Sequence, residues 1–254
     1  MKDRSQSSST PTKRSSPRRR VKTTEKWTKA AVLRELKRIA DPKIRVKLAY
    51  FGVNVPKAYG ISTPVLHALA RRIGKDQELA EQLWSSGIHE AKSLATLIGE
   101  SGKVTAAQME RWVRGFDSWD LVDGACCYLY AAAKPAWTKV YEWSTRHAEF
   151  EKRAAFSLVA YLSYKDKSTE DAEFERFLSV IEREAYDERN FVKKAVNWAL
   201  RNIGKRSLRL NAAAIRTAER IRRQDSPSAR WIAADALREL QSEAVRARLR
   251  RRAG

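Results

Sequence analysis

Cysteine and histidine are nearly absent: the 254 residues hold two cysteines, Cys126 and Cys127, and three histidines, His67, His89 and His147. Two adjacent thiols cannot build a disulfide framework, and scattered histidines without an HExxH pattern supply no metal cluster. Each histidine therefore reads as a surface or satisfied core side chain, and the cysteine usage fits a reducing compartment. Long apolar runs are missing too. The longest uncharged one lies within Ala125 to Ala133, well short of the roughly 20 residues a membrane span needs, and the first residues lack the apolar stretch of a signal peptide. "GESGKVT" at 99 to 105 fails as a phosphate loop, because Leu97 stands where the first glycine is needed and Thr105 comes one place late. A soluble, cytoplasmic protein with no metal, nucleotide cofactor or membrane partner is expected, and a monomer is the default.

Acidic residues are the minority charge: 51 Lys and Arg against 30 Asp and Glu give a formal net charge of +21. Such an excess points to a polyanion as partner. Residues 1–22 hold eight basic side chains and one acid, a net of +7, which leaves +14 for the rest, so the body itself is basic. The first 22 residues are rich in serine and arginine with almost nothing apolar, and are expected to be disordered. Residues 23–243 read as one domain and 244–254 as an Arg-rich tail, both tails adding nonspecific affinity for nucleic acid.

Strand signals are scarce. From about residue 24 apolar residues recur at spacings of three and four, and entry signals punctuate the chain. Thr63-Pro64 sets a proline in the first turn, Thr105 and Gln108 form a capping-box pattern, and Pro135 and Ser226-Pro227 open two further helices. About a dozen short helices and no sheet are expected. "FEKRAAFSLVAYL" at 150–162 resembles "FVKKAVNWALRNIG" at 191–204 at an offset of 41, and Ala199-Leu200-Arg201 matches Ala236-Leu237-Arg238 at an offset of 37. Repeats of about 40 residues built from helix pairs are the HEAT pattern. The fold expected is all-α, a curved solenoid of antiparallel helix pairs (HEAT-like repeats in an ARM-repeat-like superhelix), with one helix of each pair lining a concave surface.

At roughly 100° per residue the helix after Ser118 sends Leu121, Val122, Ala125, Leu129 and Ala132 to one side. Trp119, Asp123, Cys126 and Tyr130 fall on the other. In the next repeat Ala155, Leu158, Val159 and Leu162 form the apolar stripe and Arg153, Ser157 and Tyr164 lie opposite. In the third, Val192, Val196, Ala199 and Ile203 face the core, with Lys194, Trp198, Arg201 and Lys205 on the reverse. A lone Asp123 has a plain reading as a carboxylate near a helix N-terminus, and most tryptophans, Trp27, Trp84 and Trp231 among them, are expected in the core. Trp198 set among Lys194, Arg201 and Lys205 instead suits packing against nucleic acid.

Four stretches, "YGISTPVLHALARRI", "SWDLVD", "KRAAFSLVAYL" and "KKAVNWALR", taken in order from about Tyr50 onward, resemble the HEAT-like-repeat alkylpurine DNA glycosylases, the AlkD-type DNA alkylation repair enzymes. The resemblance implies a monofunctional DNA N-glycosylase that excises cationic bases such as N3-methyladenine and N7-methylguanine from duplex DNA, leaves an abasic site, uses no cofactor and works in the cytoplasm at the nucleoid. By position it implies Asp123 as catalytic carboxylate, Trp119 and Trp198 flanking the lesion's sugar, and Arg153, Lys194 and Arg201 holding the backbone, with Lys205 beside them in the same basic stripe. The family's early-helix aromatic has three candidates here, Tyr50, Phe51 and Tyr59. Two alternatives stand beside this reading, a non-catalytic HEAT-repeat scaffold binding DNA or RNA and a protein-binding solenoid.

Overall fold

The computed structural model describes residues 26–253, so the disorder expected for 1–22 lies outside the described residues. They form fourteen α-helices and two turns of 3-10 helix, with no strand among them. The helices are α1 (Lys29–Arg38), α2 (Pro42–Tyr50), α3 (Thr63–Ile73), α4 (Gln77–Trp84), α5 (His89–Ile98), α6 (Ala106–Val113) and α7 (Trp119–Tyr128). They continue with α8 (Ala136–Ser144), α9 (Glu149–Lys165), α10 (Asp171–Glu184), α11 (Asn190–Gly204), α12 (Leu208–Arg222), α13 (Pro227–Leu240) and α14 (Glu243–Ala253).

The entry signals work as their chemistry requires. Thr105 caps α6 by accepting from the Gln108 amide at 3.1 Å, and Ser226 caps α13 by accepting from Ala229 at 3.2 Å. Only half of the expected capping box forms, because the Gln108 side chain accepts from Gln77 at 2.8 Å instead of reaching back to Thr105. At α3 the motif's glycine has a separate task. Gly60 sits at φ +84, and a Cβ there would come within 2.2 Å of the Asp41 carbonyl oxygen and 2.6 Å of the Arg45 nitrogen. Only glycine lets this turn press against the start of α2. The buried Glu90 fixes the same turn, accepting from the amides of Tyr59, Gly60 and Ile61 at 2.9, 2.7 and 3.3 Å.

Alternate helices stack side by side: α3 on α5, α5 on α7, α7 on α9, α9 on α11 and α11 on α13. The intervening α4, α8 and α12 pack behind this layer, each against its sequence neighbour. The core runs unbroken between the layers, and buried tryptophans bind one repeat to the next. Trp84 stacks on Trp112 with centroids 4.2 Å apart. The indole of Trp112 donates to Glu81 at 3.1 Å and that of Trp143 to Glu110 at 2.9 Å, so each buried N–H is answered by a carboxylate from the preceding repeat.

Several face assignments need correction. Cys126 and Tyr130 are fully buried, while Ala132 is exposed. The helical phase stops being a guide at α7 because it is wedged between α5 and α9, and because α7 ends at Tyr128, which puts Tyr130 and Ala132 in a 3-10 turn. Trp84 is buried and Trp27 partly so, but Trp231 is 41% exposed, its ring covered on one side by the Lys193 ammonium at 5.3 Å from the centroid. The Arg-rich segment read as a tail from 244 is most of α14, which packs on α12 and α13 through the buried Val245 and Leu249.

Candidate functional site

The first turn of α7 is built to present side chains outward. Ser118 occupies the N-cap with extended backbone, but its hydroxyl donates to the Asp120 carboxylate at 2.6 Å and caps no amide. Asp120 also meets His89 Nε2 at 2.9 Å. His89 is thus a satisfied core histidine on that side, and it anchors α7 to α5. With Asp120 turned toward α5, Trp119 and Asp123, one turn apart, lie on the remaining side. The Trp119 indole donates to the Phe51 carbonyl at 2.9 Å, which fixes its ring against the loop after α2.

That bond bears on the early aromatic. Phe51 lies beside Trp119, and it pairs edge to face with Tyr50 at 5.3 Å, both rings being exposed. Tyr59 instead packs on the core. The next residue, Gly52, adopts φ +76 and lies so close to α11 that a Cβ would stand 3.2 Å from the Phe191 ring. The loop after α2 therefore closes onto both α7 and α11.

Asp123 is held from below. One Arg153 Nη2 donates to both of its oxygens at 2.9 Å, and the Ser157 hydroxyl donates to Oδ1 at 3.0 Å. Arg153 is itself fixed by donating Nη1 to the Phe191 carbonyl at 2.8 Å. The exposures differ: the Asp123 side chain keeps 20% of its surface open, Arg153 only 7%. The carboxylate is reachable and its cation is not. Burial pushes the Asp123 carboxyl above the usual aspartate range, against the opposing pull of Arg153 and Ser157. On the far side Trp198 meets Tyr161 edge to face at 4.9 Å. The Tyr161 phenol is raised first by burial and next by the charge of Asp123.

The four cations named from the sequence separate. Arg153 is buried beneath Asp123. Arg201 reaches Asp235 at 2.6 Å and Glu239 at 2.6 Å, and Lys205 reaches Glu239 at 2.9 Å, so both tie α11 to α13. Lys194 is the one of the four that is exposed. Helical phase misses Tyr161 as the partner of Trp198, and it misses the role of Ser157. It puts Ser157 on the right face, but nothing in the sequence marks a serine as the partner of a carboxylate in the preceding repeat. Among the described residues no group of His, Cys, Asp and Glu is arranged to hold a metal, and no helix is long and apolar enough to cross a membrane.

A family model described as "DNA alkylation repair enzyme" matches residues 32–240. No curated protein matches the chain. One similar solved structure is described as "a new family of proteins related to the HEAT-like repeat DNA glycosylases with affinity for branched DNA structures". It superposes with a TM-score of 0.73 at 20% identity, covering 88% of this chain and 96% of that one. At that identity the likeness is one of fold.

Proposed function

The chain belongs to the DNA alkylation repair enzyme family, and from that premise we propose that it hydrolyses the N-glycosidic bond of cationic alkylated purines, N3-methyladenine and N7-methylguanine, in duplex DNA. The observation that carries this reading is a carboxylate that keeps 20% of its surface exposed yet is fixed by two donors from α9, with Trp119 on its own helix and Trp198 packed on Tyr161 of that same α9. An N-alkylated purine is already cationic and leaves as a neutral base, so the reaction needs no general acid. Positive charge develops on the deoxyribose instead. A preorganised carboxylate stabilises that oxocarbenium character and orients the attacking water. Oδ1 is occupied by Ser157, whereas Oδ2 accepts only the shared Arg153 contact, which makes Oδ2 the atom free to face the sugar. Indole faces attract the cation by roughly 0.5–2 kcal/mol each. Lys194 contacts a backbone phosphate directly, while Arg153, Arg201 and Lys205 act by holding Asp123 and α11 in place.

Asp123→Asn tests this. Release of N7-methylguanine from methylated DNA, followed by chromatography of the freed bases, should fall at least 10²–10³-fold, about the loss seen when one preorganised electrostatic group is removed, while duplex binding is kept. Unchanged release refutes the assignment.

One observation favours a second reading, a non-catalytic DNA-binding scaffold: Arg153 contacts both oxygens of Asp123 and offsets its charge. The solved relative's described affinity for branched DNA is compatible with it. Such a protein would shift DNA in a gel and liberate no base.

A further inference from the structure

Before the starts of α5 and α7 lies a hollow of about 250 Å³, lined in part by Asn54, Lys57, Gly87, His89, Lys92 and Asp117. Three pieces of backbone meet there: the loop after Phe51, the turn before α5, and the loop leading to Trp119. The His89 amide donates to the Lys57 carbonyl at 3.1 Å, joining the first two. Asn54 Nδ2 donates to Asp117 at 3.3 Å and Lys92 Nζ to the Gly115 carbonyl at 2.8 Å, joining them to the third. Gly87, at φ +71, carries no side chain into the space, and a Cβ there would stand 3.8 Å from the Lys57 ammonium.

The charges in this hollow do not balance. Two ammonium groups face it, and the carboxylate set against them is the half-exposed Asp117, 3.8 Å from Lys92 and shared with Asn54. The other nearby acids are engaged elsewhere, Asp120 with His89 and Ser118, Glu90 with the amides of 59–61. The ten-residue α5 starts at the edge of the hollow with Ile88 at its N-cap, a side chain that can cap nothing, so the positive end of the helix adds to the two lysines. His89 lines the hollow, and its Nδ1 is buried without a partner among the described residues. Burial holds the Lys92 ammonium below the usual lysine range; the charge of Asp117 opposes this, and the smaller influence of Lys57 pushes with burial. Like charges brought together in a partly dehydrated space cost stability until an anion joins them.

We propose that this hollow is an anion site that takes one phosphate of a nucleic-acid backbone, held by Lys57, Lys92, Asn54 and the start of α5. A strand phosphate is favoured over a free anion because two of the residues lining the hollow lie close along the chain to the groups that hold Trp119. Asp117 precedes that residue by two positions, and Asn54 follows by three the carbonyl that accepts the Trp119 indole. The site rests on the reading that the face bearing Trp119 and Asp123 holds DNA, but not on catalysis.

The test uses the full chain and duplexes containing a stable abasic-site analogue, each with a single neutral methylphosphonate at a different backbone position. Binding is measured for wild type, Lys57→Met, Lys92→Met and the double variant. One methylphosphonate position should cost wild type about tenfold in affinity and the double variant nothing further, and the double variant's log–log salt dependence should be shallower by about one phosphate contact. Additive losses at every position, or unchanged affinity and slope in the variants, would overturn the site, as would a wild type that binds no duplex. Inorganic phosphate supplies the other arm. If it raises the melting temperature of wild type but not of the double variant while no methylphosphonate position couples, the hollow takes a free anion and the strand phosphate is wrong. Lys57 is exposed, so Lys57→Met decides the matter should Lys92→Met fail to fold. Because base release is not the readout, a protein that couples to one phosphate yet frees no base keeps this site and loses only the proposed activity.

Discussion

In the proposed reaction Asp123 carries opposing demands: it must be ionised to stabilise a cationic sugar, yet its surroundings favour the neutral acid. Burial is the larger influence and raises its pKa, while Arg153 and Ser157 pull it down. The acid limb of the base-release rate should therefore fall with an apparent pKa above the ordinary aspartate value of 3.8. Ser157→Ala removes one of the two donors, which moves that limb to still higher pH and leaves the rate near neutrality within a few-fold. A pH–rate profile under single-turnover conditions measures both. If the limb stays in place, Ser157 does not act on the carboxylate. Helical phase in the sequence puts Trp119, Asp123, Arg153, Ser157 and Trp198 on faces away from the apolar stripes; of these, Arg153 and Ser157 meet Asp123 and are themselves buried, while Trp119 bonds to the loop after α2 and Trp198 packs on Tyr161. Phase cannot show that Arg153 points down at Asp123, since a partner 30 residues away is chosen by how the helices stack.

Among the elements, the turn entering α3 shows why a short motif is legible from its residue types alone. Gly60 is required by backbone contact, Pro64 fits a first helical turn that has no use for its missing N–H, and Glu90 closes the turn through three amides. Gly60→Ala forces a Cβ into the Asp41 carbonyl and the start of α2. It should cost about 3 kcal/mol or more in denaturant unfolding, well beyond the loss of roughly 0.5–1 kcal/mol expected of an ordinary glycine site. A change under about 1 kcal/mol would mean that α2 shifts freely, and the loop that positions Phe51 would then be less fixed than its contacts imply. Glycine and proline punctuation is legible because these residues act locally. The fate of the Arg-rich end is not, since α14 is decided by Val245 and Leu249 finding α12 and α13 across the chain, and local composition there is dominated by charge.

For the molecule as a whole, the excess of positive charge sets the terms of stability. A net charge of +21 repels itself, and the carboxylates serve largely to join one repeat to the next. Glu110 illustrates the arrangement: it accepts from Trp143 at 2.9 Å and meets Arg146 at 2.7 Å and Lys139 at 3.0 Å, all from the following repeat. Burial alone would raise its pKa, but these three donors outweigh burial and hold it at about 2, from an ordinary 4.5. A carboxyl whose folded pKa is depressed contributes stability that is complete above the unfolded value and disappears as pH falls through the folded one. Its share should thus be constant above pH 4.5 and vanish toward about 2. Glu110→Gln should lower the unfolding free energy by about 2–3 kcal/mol at neutral pH, allowing for the partial exposure of the side chain, and the gap from wild type should close in that acid window. Urea melts followed by circular dichroism across the window measure the gap directly. A gap that persists undiminished at the acid end would show that the loss comes from packing around Trp143 and not from charge, and acid would then unfold this solenoid chiefly through general repulsion among its cations.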